Sequence, residues 1–290
     1  MSEDAEMEKV KDIIKLMEVI TLTSYVKGGN PVSALIIAKA ESGKTEILKI
    51  LKGYKHTIFL NDLSFKPLTE TLFPLIKEGK LKHIIVADFI NVTQHKKSAD
   101  NLIPVLNSLM EEGVSELAYY GSQAKFTPPL NCGLLTGITK RYFDKHIIFW
   151  RQIGFLTRMI PISYSYSAST VLEINTAIMN QEKRKDESVV LPNLKTLLDI
   201  KITKPIAMQL QTISEMLCNT NSVYISIGDN THTRKIEMES YGFRLHKIIR
   251  NIAKALSIYN SKGKGKEVTQ EDVTELTKLI AFVNFNFKEV

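Results

Sequence analysis

Residues 34–51 read Ala-Leu-Ile-Ile-Ala-Lys-Ala-Glu-Ser-Gly-Lys-Thr-Glu-Ile-Leu-Lys-Ile-Leu. This stretch indicates a strand, a loop and a helix in succession. The apolar run Ala34–Ala38 has the length of a buried strand, and Thr45–Leu51 has helical spacing. In a loop between strand and helix, backbone N–H groups and the positive end of the helix dipole can hold phosphates. The pattern predicts a phosphate-binding loop; the alternative is a chance Gly-Lys-Thr at a helix start.

The predicted loop gives two of its residues defined chemical roles. Lys44 would reach the β- and γ-phosphates, and the Thr45 hydroxyl would ligate magnesium, so ATP and Mg²⁺ are the expected ligands. Ala38 stands where the usual pattern has its first glycine, and it would be strained if that position needs a positive φ. The whole predicted nucleotide-binding segment is Ala38, Lys39, Ala40, Glu41, Ser42, Gly43, Lys44 and Thr45.

A second apolar strand ends in an acidic residue. Residues 83–87 are followed by Asp88, whose carboxylate is expected to hold the magnesium shell because a hard dication prefers oxygen ligands. The next residue is Phe89, where many ATPases place the glutamate that orients the attacking water. Asp62, after the predicted strand 57–60, is a candidate substitute acid. Hydrolysis is therefore expected to be slower than with that glutamate.

Short apolar strands alternate with helices along the first part of the chain, which favours a parallel sheet covered on both faces. The expected fold is α/β, a P-loop NTPase sheet flanked by helices and followed by a smaller α-helical lid. We predict a nucleotide-binding core over 1–170, a connecting segment over 171–204 and the lid over 205–290. The charged residues 181–188 are the expected linker, and 68–76 is expected to be a helix that Pro74 disturbs.

Composition excludes several classes of protein. The 290 residues are 44% apolar and 24% charged, which excludes fibrous and disordered chains. No apolar run approaches a membrane span, and the acidic amino terminus argues against a signal peptide. Cys132 and Cys218 suggest neither a disulfide framework nor a zinc site, so a cytoplasmic setting is expected. A net charge of +7 permits a polyanionic partner but does not require one.

The order of these motifs over about residues 30–285 resembles the AAA+ family. It is most similar to the branch with an extra hairpin before the sensor-1 strand, which includes the minichromosome-maintenance (MCM) helicases. Residues 107–114 resemble the helix end before that hairpin, and 115–126 the hairpin itself. Residues 134–139 resemble the sensor-1 strand, and the resemblance implies that Thr139 takes the place of the family's polar sensor.

The resemblance also implies roles for two arginines. The segment Gly154–Pro161 resembles the one that carries an arginine finger, so Arg158 would reach the γ-phosphate bound by a neighbouring subunit. Arg244, at the start of an amphipathic helix, resembles the sensor-2 arginine of the lid. The alternatives are a surface arginine before a strand and a solvated arginine on a helix.

The hairpin is the predicted contact with nucleic acid. In the resembled helicases such hairpins project into a central pore, which implies that Lys125 contacts phosphates and that Tyr119 and Tyr120 stack on bases. The alternative is an ordinary surface hairpin. Glu111 and Glu112 are acidic candidates just before the hairpin, and they are expected to cap or solvate it.

Two functions of different classes follow. The first is a homo-oligomeric ATPase, expected to form a six-membered ring, that acts on DNA as a helicase or as a packaging or translocation motor. The second is a slow or non-hydrolysing assembly factor, such as a helicase loader, with a protein partner from a replication or mobile-element system. Ala38 and Phe89 favour the second.

Overall fold

The computed structural model describes residues 3–94, 96–119, 122–180, 191–219, 222–226, 234–238 and 242–285. The predicted linker 181–188 lies outside the described residues. The strands are β1 (Ser33–Ala38), β2 (Thr57–Leu60), β3 (His83–Val86), β4 (Val114–Tyr119), β5 (Ser122–Leu130), β6 (Gly133–Thr139), β7 (Met159–Ser163), β8 (Ser222–Ser226) and β9 (Arg234–Met238).

The α-helices connect and cover these strands. They are α1 (Glu3–Leu22), α2 (Lys44–Ile50), α3 (Phe65–Pro67), α4 (Phe73–Lys77), α5 (Phe89–Thr93), α6 (Lys96–Met110), α7 (Lys140–Gln152), α8 (Ala168–Met179), α9 (Lys204–Asn219), α10 (Phe243–Asn260) and α11 (Gln270–Leu279). Short 3₁₀ turns cover Thr23–Tyr25, Leu156–Arg158 and Ile280–Phe282.

Five of the strands form one parallel sheet in the order β2-β3-β6-β1-β7. All six residues of β1 and all four of β3 are buried, as a sheet covered on both faces requires. The fold is therefore α/β with a parallel sheet flanked by helices, consistent with a P-loop NTPase fold. Because β6 lies between β1 and β3, the carboxyl end of β6 lies between those of its neighbours.

Large aromatic side chains fill the space between the sheet and α7. Phe89 is fully buried and stacks on Phe155, with ring centroids 5.1 Å apart. Trp150 packs edge-on against Phe89 at 5.7 Å. This cluster fixes the start of α5 and hence the position of the residue before it, Asp88.

Several elements differ from the sequence expectation. The predicted helix 68–76 is divided among α3, a π-helical turn at Leu68–Leu72 and α4, where Pro74 lies in the first turn because its missing N–H is tolerated there. The α-helical region after residue 205 also contains the antiparallel hairpin β8–β9. The residue types of Val223, Tyr224 and Ile225 favour a strand, but the helical pattern of the surrounding sequence makes this preference hard to recognise.

The amino-terminal helix joins the carboxyl-terminal helices. α1 packs against α10, and α9, α10 and α11 pack on one another. Among the described residues, no helix is both long enough and apolar enough to cross a bilayer.

Candidate phosphate-binding site and arginine cluster

The predicted phosphate-binding loop lies at the carboxyl end of the sheet, beside Thr139 and Asp88. Ala38, the last residue of β1, pairs in register with Thr139, the last residue of β6. On the other side of β6, Val86 pairs with Thr136, and Asp88 follows two residues later. The loop after β1, Thr139 and Asp88 therefore lie side by side.

The loop takes its shape from two left-handed residues. Gly43 has φ +80° at the amino terminus of α2, and Glu41 has φ +60°. Ala38 is a buried residue of β1 and has no positive φ, so the strain considered for it does not arise. The non-glycine residue that bears left-handed strain in this loop is Glu41.

Lys44 folds back over the loop that precedes it. Its Nζ donates to the carbonyl oxygens of Lys39 (2.5 Å) and Ala38 (3.3 Å), and lies 3.4 Å from the Ser42 hydroxyl. Burial lowers the pKa of Lys44, and the charge of nearby Asp88 partly opposes this. The ammonium group is thus held by carbonyl dipoles at the centre of the loop, where phosphate oxygens can replace them.

Thr45 and Asp88 supply the oxygen atoms that a magnesium ion prefers. Thr45 is half-buried in the first turn of α2. One carboxylate oxygen of Asp88 accepts from the Ile90 N–H (3.0 Å) and caps α5. Within the described residues the other carboxylate oxygen makes no hydrogen bond, so it can serve as a ligand. A hydroxyl and a carboxylate on adjoining loops fit Mg²⁺ held together with a nucleotide.

Two tyrosines that the sequence analysis did not single out also contact the loop. The hydroxyls of Tyr164 and Tyr166 both donate to the Ser42 carbonyl, each at 2.8 Å. They follow β7, so they lie at the same end of the sheet. The sequence could have indicated them through their position, because they come directly after the last predicted strand of the sheet.

The structure places neither Phe89 nor Asp62 as a replacement for the absent glutamate. Phe89 is a core residue, as described above. Asp62 is exposed, accepts from the Leu63 N–H (2.7 Å), and follows β2, which lies one strand further from β1 than β3 does.

Arg158 and Arg244 lie together, at the opposite end of the sheet. Arg158 Nε lies 3.0 Å from Glu111 Oε2, and one terminal nitrogen donates to the Gly154 carbonyl at 2.7 Å. Arg244 Nε lies 2.5 Å from Glu111 Oε1. Glu112 Oε1 lies 3.4 Å from Arg158 and 3.7 Å from Arg244. We call these four residues the arginine–glutamate cluster. Its two glutamates pair with arginines, which differs from the expectation that they cap or solvate the hairpin.

The cluster adjoins a cavity of about 240 Å³ between the amino-terminal end of β1 and α10. Its cationic lining comprises Arg158, Arg244, Lys247 and Arg250. Gly29 permits the close approach of the two sides, because a Cβ there would lie 2.7 Å from the Asn251 side chain. We call this cavity the basic cleft.

The cluster and the phosphate loop are separated by the length of β1. Ser33 lines the basic cleft and Ala38 begins the loop, so the six residues of β1 place them roughly 17–20 Å apart. Within one chain, the structure brings Lys44, Thr45, Asp88 and Thr139 together and does not bring Arg158 or Arg244 to them.

The predicted hairpin forms as β4 and β5. Lys125 is 71% exposed and lies 3.6 Å from Glu116 on the paired strand. Tyr119 ends β4, and Tyr120 lies outside the described residues. The lysine is thus accessible, with one neighbouring carboxylate.

No protein-family model and no curated protein sequence matches this chain. Among solved structures, it is similar to a full-length MCM homologue from Methanopyrus kandleri, with a TM-score of 0.46 and 12% sequence identity. The match covers 98% of this chain and 62% of that one, so the chain spans less than two thirds of its length. The fold assignment therefore depends on the sheet order and loop geometry described above.

Proposed function

We propose that this protein binds ATP with Mg²⁺ at the loop 38–45. The observation that carries the proposal is Lys44, whose ammonium group is enclosed by loop carbonyls and is near enough to Asp88 for the two charges to interact. In this proposal Lys44 holds the β- and γ-phosphates, Thr45 and Asp88 hold the ion, and Thr139 is the polar side chain nearest the γ-phosphate. Bound Mg²⁺ would neutralise phosphate charge as it develops during transfer.

We further propose that chains assemble head to tail, so that the cluster of one copy faces the phosphate loop of the next. The length of β1 supports this, because it separates the two sites within one chain. Arginine suits the task because its charge is permanent and it binds phosphate oxygens in a bidentate manner. A heterologous contact of this kind closes into a ring when the rotation between copies permits.

The proposed polyanionic partner is DNA, contacted through the hairpin β4–β5. Lys125 supports this because it is exposed at the hairpin surface. The net charge of +7 is compatible with it.

The experiment compares ATP affinity and turnover of the wild type and Lys44→Ala, with Mg²⁺, in the absence and presence of single- and double-stranded DNA. We expect Lys44→Ala to abolish binding. Lys49→Ala is the matched control, because it removes the same charge from the same helix, where Lys49 pairs with Glu46 on the surface. A third variant, Lys125→Ala, is expected to bind ATP normally and to lose stimulation by DNA. Unchanged affinity in Lys44→Ala would refute nucleotide binding at this loop.

A second candidate function is an ATP-dependent assembly factor that hydrolyses slowly or not at all. The observation that favours it is Phe89, which occupies the position of the water-orienting glutamate and is wholly buried under Phe155. The same measurements separate the two. DNA-stimulated turnover identifies a motor, whereas binding with assembly but without turnover identifies the assembly factor.

A further inference from the structure

Glu111 and Glu112 hold both arginines of the cluster at once. Arg158 is only 13% exposed in this arrangement, while Arg244 is 40% exposed and also donates to the Thr157 hydroxyl (3.2 Å). The carboxylates occupy the guanidinium groups that phosphate oxygens would otherwise bind. All three nitrogen atoms of Arg158 face Glu111, Glu112 or the Gly154 carbonyl, so bidentate binding of a phosphate by Arg158 requires it to exchange a carboxylate.

The Glu111–Arg158 ion pair is incompletely aligned. Glu111 Oε2 and Arg158 Nε are 3.0 Å apart, yet both are buried and neither makes a hydrogen bond of good geometry. The basic cleft beside them contributes Lys247 and Arg250, so its positive charge exceeds the negative charge of the two glutamates. The surroundings therefore favour an anion of greater negative charge than the two carboxylates.

The glutamates are also attached directly to the hairpin. Gly113, with φ +83°, ends the α6 region, and β4 begins at the next residue. The Asn30 side chain donates to the Glu111 carbonyl and ties this turn to the wall of the basic cleft. A displacement of Glu111 and Glu112 therefore changes the position from which the hairpin starts.

We propose that Glu111 and Glu112 are positioning residues that compete with the phosphates of a nucleotide held by a neighbouring copy of this chain. In the isolated chain they restrain Arg158 and Arg244. When a neighbour presents its nucleotide, the arginines exchange carboxylate for phosphate, and the released turn lets the hairpin β4–β5 move. The inference rests on the proposed function, because it needs nucleotide at the loop 38–45 of the adjoining copy.

The test measures assembly by sedimentation as a function of protein concentration, with ATP-γ-S and Mg²⁺. Glu112→Gln and the double variant Glu111→Gln/Glu112→Gln are compared with the wild type. Competition predicts that the assembly midpoint moves to a several-fold lower protein concentration in the variants. Glu78→Gln is the control, since Glu78 forms a surface ion pair with Lys80 (2.6 Å) away from the cluster.

A second measurement distinguishes competition from a purely structural role. Amide hydrogen exchange over residues 115–118 of β4 is compared with and without nucleotide. We expect these residues to exchange faster in the double variant than in the wild type when no nucleotide is present. Their exchange rate should then equal the rate that the wild type reaches only on assembly. Glu112 is 59% exposed, so Glu112→Gln tests the same idea if the double variant does not fold.

The outcomes separate this inference from the proposed function. A midpoint that is unchanged or moves to higher concentration in the variants overturns the competition, even if the wild type binds nucleotide and assembles. A wild type that binds no nucleotide, or that binds it and never assembles, overturns the proposed function and this inference together. Unaltered hairpin exchange in the variants overturns the link to β4–β5.

Discussion

Gly43 places the loop around the expected phosphates through its backbone alone. Its φ of +80° is one that L side chains rarely adopt, and among the described residues a Cβ added there would meet only the Tyr166 hydroxyl, at 3.7 Å. Glycine is therefore required at this position for its backbone conformation and not because a side chain would lack space. Gly53, with φ +94° and open surroundings, shares the conformation but lies outside the site.

This pair permits a matched prediction. Gly43→Ala and Gly53→Ala should each lower the free energy of unfolding by about 1 kcal/mol, because alanine is strained in the left-handed region. Only Gly43→Ala should also weaken ATP binding, by about tenfold or more, because the loop N–H groups would shift. Urea unfolding and ATP titration check this. Equal ATP affinity in the two variants would contradict the role given to Gly43.

His83 gives a prediction of pH dependence. Its ring is fully buried at the start of β3, with Nε2 3.1 Å from the Val32 carbonyl. Burial lowers its pKa from 6.5 to about 4, although the hydrogen bond to Val32 opposes this. Between these values the unfolded chain binds a proton that the folded chain excludes, so the folded state loses stability as the pH falls.

The free energy of unfolding should therefore decrease by up to about 3 kcal/mol as the pH falls from 6.5 to about 4. His83→Gln keeps a donor near the position of Nε2 for the Val32 carbonyl and removes the titrating group, so this part of the slope should disappear. Urea unfolding at several pH values measures it. A slope that persists in His83→Gln would assign the effect to other groups.

At the scale of elements, a buried carboxylate joins three parts of the fold. Glu18 of α1 accepts from the Tyr54 hydroxyl (2.8 Å), which follows α2, and from the Tyr259 hydroxyl of α10 (3.0 Å). Burial raises the pKa of Glu18, and the two tyrosine hydrogen bonds oppose this. α10 also carries Arg244, so this junction helps to hold the arginine relative to the sheet.

Removing one donor tests this junction. Tyr259→Phe should lower the free energy of unfolding by about 1–2 kcal/mol, because a buried carboxylate oxygen loses its hydrogen bond. A double-mutant cycle with Glu18→Ala, measured by urea unfolding, isolates the pair, because alanine leaves no acceptor for the hydroxyl. A coupling energy near zero would mean that the tyrosine ring stabilises α10 by packing alone.

At the scale of the whole molecule, the length of β1 determines which residues can share a site. The loop 38–45 and the arginine–glutamate cluster lie at opposite ends of the strand, so the proposed site would be complete only between two copies of the chain. Lys44→Ala and Arg158→Ala are then each expected to lack ATP hydrolysis when assayed alone. Lys44→Ala would lack nucleotide binding, and Arg158→Ala would lack the arginine that contacts the neighbour's nucleotide.

Mixing the two variants should restore ATP hydrolysis. In a random assembly, roughly a quarter of the interfaces combine an intact loop with an intact Arg158, and activity should recover in that proportion. Turnover measured against mixing ratio checks it. The control mixes Lys44→Ala with Lys44→Ala/Arg158→Ala, which contains no intact loop. Co-assembly without recovery would show that Arg158 does not act between subunits.

Local patterns were sufficient to predict the parallel strands and the loop that joins β1 to α2. One example is the continuous apolar run Ile84–Ala87, and another is the succession of strand, loop and helix around Gly43. Both can be recognised from the sequence because they depend on residues that are adjacent in the chain. Asp88 could be placed near Lys44 because both follow strands of one parallel sheet. The strands β8 and β9 were missed because a short strand pattern within a helical region carries little weight.

Contacts between residues distant in the chain could not be predicted in this way. The sequence alone establishes the apolar strands, the loop 38–45 and the acid after β3, because each depends on adjacent residues. The pairing of Arg158 and Arg244 with Glu111 and Glu112, and their separation from Lys44, depend on how α6, β7 and α10 pack. These contacts span 46 residues from Glu112 to Arg158 and 133 residues from Glu111 to Arg244, and only the tertiary fold brings such charges within reach.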